Sequence, residues 1–337
     1  MMPFPARPRI VADIGGTNGR FAIERGGALT ERREYRNAEF SNLAALLIRY
    51  LADASSAGED VQEACLAVAA PVSEEGDARF TNASWTVSAR DIAAAMKLGR
   101  VAVIIDFAAQ AYGLDALGGD EAVQIGGPHS RQHDSAPHGH RAARVVLGPG
   151  TGLGCAALVP ARANGVEAVA VTSEAGHMGF AAETEDDRRI HDAAKAKYGH
   201  VSWERVCCGA GLALIHATLA SDDALPGVDE GDPTEVSNAA RLDAASRAAA
   251  SVRQFSGMLG AFAGDLALAF NAAGGVYLTG GVVAHLGAAF DAQEFARRFV
   301  SKGRYAEWLA GIAIFRISAD DCALRGCARY LERVPAR

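Results

Sequence analysis

Asp13-Ile14-Gly15-Gly16-Thr17-Asn18 and Gly148-Pro149-Gly150-Thr151-Gly152-Leu153-Gly154 are two glycine-rich turns, each joining two short apolar runs. The flanks are Ile10 to Ala12 and Phe21 to Ile23 in the first copy, Val145 to Leu147 and Cys155 to Val159 in the second. Aligning Gly16-Thr17 with Gly150-Thr151 also aligns Ala22 with Ala156. The chain therefore carries one device twice, a tight β-hairpin whose tip exposes backbone N–H groups. Glycine is expected there to supply a positive φ and to let an anion approach the main chain. One such hairpin is on its own only a turn. Two, with an Asp opening the first and a Thr in both, suggest a phosphate chain gripped by two tips. No G-x-x-x-x-G-K-[ST] occurs, and each turn runs into a second β run rather than a helix. That spacing excludes a P-loop and argues against a dinucleotide fingerprint.

Composition bounds the rest. A length of 337 residues suits two domains or one large α/β unit with a substantial core. A net charge of −7 without a dense basic stripe argues against nucleic acid as partner. The start of the chain, Met1 to Arg7, has no apolar core segment, and Asp265 interrupts the most apolar helical stretch. Neither a signal peptide nor a membrane span is expected, which points to the cytoplasm. The six cysteines include the adjacent pair Cys207-Cys208 but no C-x-x-C, so neither a disulfide framework nor a zinc site is indicated. Cys65 and Cys155 fall in apolar runs and read as small buried hydrophobes. His129, His133, His138 and His140 fall in a polar segment from Gly126 to Arg144 that reads as a solvated loop, a metal tract being the alternative.

Strands are expected at Ile10–Ile14, Arg20–Glu24, Ala64–Ala69 and Val101–Ile105. Helices are expected across Phe40–Asp53 and Asp91–Lys97, the second capped by Ser88. A second half after Phe107 should hold strands at Val145–Leu147, Cys155–Val159 and Val166–Val171. Its helices should cover Glu185–Tyr198, Gly211–Ala220 and, as one long buried element, Ser237–Asn271. Asp222–Pro233 reads as an exposed loop, Gly275–Gly281 as a strand with a third glycine turn, and Asp320–Arg333 as a terminal helix. Two halves repeating strand, glycine turn and strand imply a duplicated fold around a cleft.

Seven short motifs run in order between residues 11 and 281: Asp13-Ile-Gly-Gly-Thr-Asn18, Thr81-Asn-Ala-Ser-Trp85, Ile105-Asp-Phe107, Gly148-Pro-Gly-Thr-Gly-Leu-Gly154, Glu174-Ala-Gly-His177, Glu204-Arg-Val206 and Leu278-Thr-Gly-Gly281. Together they resemble the bacterial glucokinases of the hexokinase/actin superfamily. The resemblance implies an α/β, two-domain actin-like/hexokinase (ribonuclease H-like) fold with an interdomain cleft. It also implies a small domain of residues 1–107 plus about 319–337 and a large domain of 108–318. The implied activity is phosphorylation of glucose at the 6-hydroxyl by ATP with Mg²⁺, giving glucose 6-phosphate and ADP.

By that resemblance Asp106 is the general base that takes the proton of the attacking sugar hydroxyl. A cap for a helix over Ala108–Leu117 is its plain alternative. Asp13 would hold Mg²⁺, directly or through water, or else pin the hairpin as an Asx-turn residue. The amides of Gly15, Gly16, Thr17 and Asn18 and those of Gly150, Thr151 and Gly152, with the two Thr hydroxyls, would stabilise charge on the transferring group. Gly280 and Gly281 would let adenosine lie on the backbone, though a plain turn explains them too. Asn82, Glu174, His177 and Glu204, with Asp106, would bond sugar hydroxyls, and Trp85 would pack. Glu174-x-x-His177 offers only two zinc ligands without a third nearby. Gly209 and Gly211 could be a helix entry and nothing more.

Departures from the family pattern concentrate on the sugar side. Ile105 stands where an Asn precedes the catalytic Asp, Gly179 where an acid follows Glu-x-x-His-x, and Asp321-Cys322-Ala323-Leu324 where a Pro-containing turn is usual. Losing one amide that bonds a sugar hydroxyl costs on the order of 1–3 kcal/mol. A different preferred hexose, or a catalytically weak sugar sensor, is therefore the competing expectation. Polyphosphate is the alternative donor. A homodimer is implied, and no DNA-binding helix-turn-helix is expected, because Asp13 stands so near Met1.

Overall fold

A computed structural model describes residues 7–54, 60–80, 85–128, 142–161, 167–220 and 231–333. The chain divides into two compact units. The first comprises Met1–Leu117, Gly165–Thr172 and Ala319–Arg337, the second Gly118–Asn164 and Ser173–Ser318.

In the first unit β1 (Arg9–Ile14), β2 (Asn18–Arg25) and β3 (Ala28–Arg36) form an antiparallel meander, followed by helix α1 (Leu43–Ala54) and strand β4 (Glu63–Val68). A small ladder, β5 (Asp77–Arg79) and β6 (Thr86–Ser88), leads into α2 (Ala89–Met96), then β7 (Arg100–Ile105) and α3 (Asp106–Gly113). The sheet order is β3-β2-β1-β4-β7, with β1, β4 and β7 parallel. Period-two alternation along β1 sends Ile10, Ala12 and Ile14 to a core with Leu43, Leu46, Leu47 and Tyr50 of α1. Val11 faces the other way, with Cys65 and Ala67, against Ala109 of α3 and Ala323, Leu324 and Cys327 of the terminal helix. Ser88 caps α2 by accepting the Asp91 N–H, as its place before the apolar run requires.

The second unit begins with β8 (Ala122–Gly126), β9 (Arg144–Pro149) and β10 (Leu153–Val159); β11 (Val169–Ser173) follows in sequence. Helices α4 (Glu185–Tyr198), α5 (Trp203–Val206), α6 (Gly209–Ala220), α7 (Pro233–Leu242) and α8 (Arg247–Phe270) precede β12 (Val276–Leu278). Then come α9 (Gly281–Leu286), α10 (Ala292–Phe299), α11 (Ala306–Ala310) and β13 (Ile314–Ile317). The chain ends, back in the first unit, with α12 (Cys322–Arg333). Strands β10, β9, β12, β13 and β8 are neighbours in that order. Each unit thus repeats one plan: the strand before the glycine turn pairs antiparallel with the strand after it, and parallel with a later strand on its other side. Helix α8 is the centre of the larger core, where Phe255, Leu259 and Phe262 meet Val145, Leu147, Leu278 and Phe295.

Several expectations change. The long helix of Ser237–Asn271 is two helices, because Asp243 ends α7 and the Ser246 hydroxyl starts α8 by accepting the Ala249 N–H. The helix placed over Ala108–Leu117 begins at Asp106 and gives way at Leu114 to a short 3₁₀ turn. The strand placed at Val166–Val171 runs Val169–Ser173, and Pro233 opens α7 rather than closing a loop. Residues 221–230 of that loop, and the four-histidine segment 129–141, lie outside the described residues. All six cysteines are buried free thiols. Among the described residues no helix is long and apolar enough to cross a membrane.

Candidate functional site

In the first unit the candidate residues gather at the carboxyl end of the parallel strands. Ile14 of β1 pairs with Val68 of β4, and Val68 with Ile105 of β7, so the three strands end at one level. Ligands of open α/β sheets bind at that edge. Asp13 stands one residue inside it and Asp106 one residue beyond. Burial pushes the Asp13 carboxyl pKa upward, and Glu34 adds to this against the pull of Arg20 across the hairpin. Asp13 belongs to β1, and no described residue hydrogen-bonds its carboxylate, so it does not pin the turn as an Asx residue. Asp106 is the first residue of α3 rather than its cap. Its Oδ1 accepts the Phe107 N–H at 2.8 Å, and Ile105 precedes it in extended conformation.

The first turn is closed by Gly15 N–H donating to Asn18 O at 2.9 Å. Gly16, Thr17 and Asn18 are exposed, and the Asn18 side-chain amide donates to Glu34 at 2.7 Å. Asn37, which the sequence reading passed over, is buried behind the turn. Its Nδ2 donates to Gly15 O at 2.8 Å and its N–H to Thr17 O at 2.8 Å. Asn82 lies outside the described residues, whereas Trp85 packs edge-on against Phe80 in the core.

In the second unit the hairpin tip is held from the α5–α6 segment. Gly150 N–H donates to Gly152 O at 2.7 Å, and Gly150 O accepts the Gly209 N–H at 3.0 Å. Glu204, in the first turn of α5, accepts the Leu153 N–H through Oε2 at 2.9 Å. Its Oε1 stands 3.9 Å from Nδ1 of the exposed His177. Glu174 precedes, and His177 ends, one 3₁₀ turn, and both are exposed. The third glycine turn reaches the same tip from behind: Thr279 N–H donates to Leu147 O, and Gly280, at φ 97°, leaves no room for a Cβ beside Pro149 O. Gly281 opens α9, and a Cβ added to it would meet nothing within 4 Å. Gly209 is the entry to α6, and a Cβ on Gly211 would meet the Val206 backbone at 2.5 Å.

The reason for glycine in the two tips is corrected. Gly15, Gly16, Gly150 and Gly152 are absent from the residues with positive φ, so these turns do not need left-handed backbone. Gly152 is glycine because of Glu204: an added Cβ would stand 2.5 Å from Oε2. A Cβ on Gly150 would meet nothing within 4 Å, while its N–H and C=O are spent on Gly152 and Gly209. Among the described residues no three His, Cys, Asp or Glu side chains gather as a metal cluster. A Mg²⁺ carried by a nucleotide needs less from the protein, and the unbonded, burial-stressed carboxylate of Asp13 fits that demand.

A two-unit α/β chain, with the same glycine-tipped hairpin in each sheet and carboxylates at the strand ends of the first, belongs to the actin-like/hexokinase class of folds. A sequence model described as Glucokinase matches residues 10–334, and the chain belongs to that family. It is 38% identical over 330 residues to a glucokinase of Chromobacterium violaceum, with 97% of this chain and 90% of that one covered. It is 39% identical over 329 residues to the bifunctional protein glk of Burkholderia pseudomallei, but spans 48% of that longer protein. The chain is thus about half the length of several of the curated relatives that it matches. The crystal structure of a glucokinase from an Antarctic psychrotroph superposes with a TM-score of 0.81 at 30% identity, covering 97% of this chain and 99% of the other.

Proposed function

We propose that this chain transfers the γ-phosphoryl group of ATP to the 6-hydroxyl of glucose, giving glucose 6-phosphate and ADP. The observation that carries the reading is the doubled hairpin, one in each sheet, with exposed residues at both tips, Gly16 to Asn18 in the first and Thr151 in the second. Phosphoryl transfer asks for positioning and charge stabilisation more than for covalent chemistry, and preorganised amides supply both.

Asp106 acts as general base, taking the sugar hydroxyl proton as the oxygen bonds to phosphorus and the β,γ-bridge breaks toward ADP. Such help contributes roughly 10²–10⁴-fold. The amides of Gly16 to Asn18 and of Thr151 and Gly152, with the hydroxyls of Thr17 and Thr151, hold the phosphates, whereas the Gly15 and Gly150 N–H groups, expected to do the same, are spent on closing their own turns. Asp13 would hold Mg²⁺, which when bound neutralises charge on the β- and γ-oxygens. Asn82, Glu174, His177 and Glu204 bind sugar hydroxyls, and Gly280 and Gly281 receive the adenosine. We place the enzyme in the cytoplasm as a homodimer; sedimentation showing only monomer would overturn the latter.

Glucose as the preferred sugar is tested at Ile105. ADP release is measured over a hexose panel for the native chain and for Ile105→Asn. Native turnover favouring glucose supports the reading. Turnover that favours another hexose by about tenfold or more reassigns the substrate. Binding of ATP and sugar without any ADP release makes the chain a sensor.

A further inference from the structure

The first hairpin is not closed in the ordinary way. In a two-residue hairpin the flanking pair exchanges two hydrogen bonds, here Gly15 N–H to Asn18 O and Asn18 N–H to Gly15 O. Only the former is made, at 2.9 Å. Gly15 O is instead turned to Nδ2 of Asn37, 2.8 Å away, and Thr17 O to the Asn37 N–H at the same distance. Asn37 is 4% exposed and lies at the end of β3, in the 3₁₀ turn Asn37–Glu39. Its Oδ1 is buried without a hydrogen-bond partner, so the amide is held in place by what its Nδ2 reaches and not by a bond at the other end.

Peptide planarity converts these two bonds into directions. In a trans peptide the C=O of one residue and the N–H of the next point opposite ways, and no cis peptide is present among the described residues. With Gly15 O and Thr17 O both drawn back to Asn37, the N–H groups of Gly16 and Asn18 point away from it. The Asn18–Arg36 pair on β3 agrees. The bond from Asn37 N–H to Thr17 O makes Asn18 a non-hydrogen-bonded ladder position, so its N–H is not spent on β3. The Gly15 N–H, by contrast, is consumed inside the turn.

Resting on the kinase reading above, we infer that Asn37 is the positioning residue of the first phosphate turn and that the donors it aims are the N–H groups of Gly16 and Asn18. The ligand they take is a polyphosphate anion. Asn37 does not touch it; it fixes two carbonyls so that the alternate amides are pre-aimed, which removes reorganisation from binding.

The test compares Asn37→Ala and Asn37→Asp with the native chain. Binding of Mg²⁺ with a non-hydrolysable ATP analogue, and of AMP, is followed by calorimetry, with glucose KM and thermal unfolding in parallel. Asn37→Ala keeps the main-chain bond to Thr17 O and loses the side-chain one, so analogue binding weakens by about tenfold, the value of one such bond. In Asn37→Asp the carboxylate cannot donate to Gly15 O and repels the anion, and the loss is roughly 100-fold at neutral pH. It shrinks as pH falls and the carboxyl regains a proton to donate, a response that a purely structural defect does not give. AMP binding and glucose KM stay near native values in both.

Unchanged analogue binding in both folded variants overturns the inference while leaving the kinase reading intact. Equal losses for analogue, AMP and glucose make Asn37 merely structural and also overturn it. A native chain that binds no nucleotide overturns the inference and the kinase reading together.

Discussion

Replacing Gly152 by Ala should damage catalysis while leaving the fold nearly untouched. The new methyl would stand 2.5 Å from Oε2 and 3.3 Å from Cδ of Glu204. Those atoms end a flexible side chain that is 24% exposed, so the carboxylate swings away and the backbone does not have to move. What is lost is the 2.9 Å bond from Leu153 N–H to Oε2, and with it the tie between the hairpin and α5. A hydrogen bond to a charged group is worth about 1.5–3 kcal/mol. At roughly 1.4 kcal/mol per tenfold, kcat/KM for glucose should fall by about 10- to 100-fold. The assay is coupled ADP release with glucose and ATP varied separately, beside thermal unfolding. Kinetics within about twofold of native would refute the role given to Glu204. A fall in Tm of more than about 5 °C would show instead that the backbone carries the clash.

Gly150→Ala is the contrasting case: nothing lies within 4 Å of the added Cβ, so urea unfolding should move by less than about 0.5 kcal/mol while KM for ATP rises, because the methyl occupies the anion's approach. Asp106→Asn keeps an acceptor for the Phe107 N–H at the start of α3 but should lower kcat by about 10²–10⁴-fold; retention of more than about a tenth of turnover would remove Asp106 as base. Arg298 and Asp187, 2% and 0% exposed, form a two-pronged ion pair at 3.0 and 2.7 Å, and Arg298→Met, by stranding the carboxylate, should cost about 3–5 kcal/mol in urea unfolding. Burial alone would raise the Asp187 pKa, but Arg298 and the N–H groups of Thr184 and Glu183 outweigh it and hold it low. Its contribution to stability is therefore full above the unfolded carboxylate value of about 3.9 and is lost as pH falls through the lower native value, a slope that Asp187→Asn should flatten.

The hairpins were legible because glycine and threonine punctuate apolar runs of constant period, and such runs become strands almost regardless of context. Strand β3, Ala28–Arg36, was not legible: an exposed edge strand rich in Arg and Glu lacks the alternation that marks a half-buried one. Strands β8 and β13, of five and four residues, become strands by long-range pairing, β13 with β12 and β8 with β13. The break between α7 and α8 did carry a local signal, Asp243 and Ser246, which the apolar periodicity on both sides masked. Asn37 and the contact of Gly152 with Glu204 join residues 22 and 52 positions apart, respectively, from Gly15 and from Gly152 itself. No local pattern encodes such pairs. What the sequence could offer was the inventory of carboxylates and glycines; their bonds and the reason for each glycine come from the fold.

The most direct measurement is glucose-dependent ADP release from ATP with Mg²⁺, with the phosphorylated product identified by phosphorus NMR. ADP and glucose 6-phosphate should form in equal amounts. ADP release indifferent to sugar, or no release from a folded chain that binds both ligands, would contradict the kinase reading.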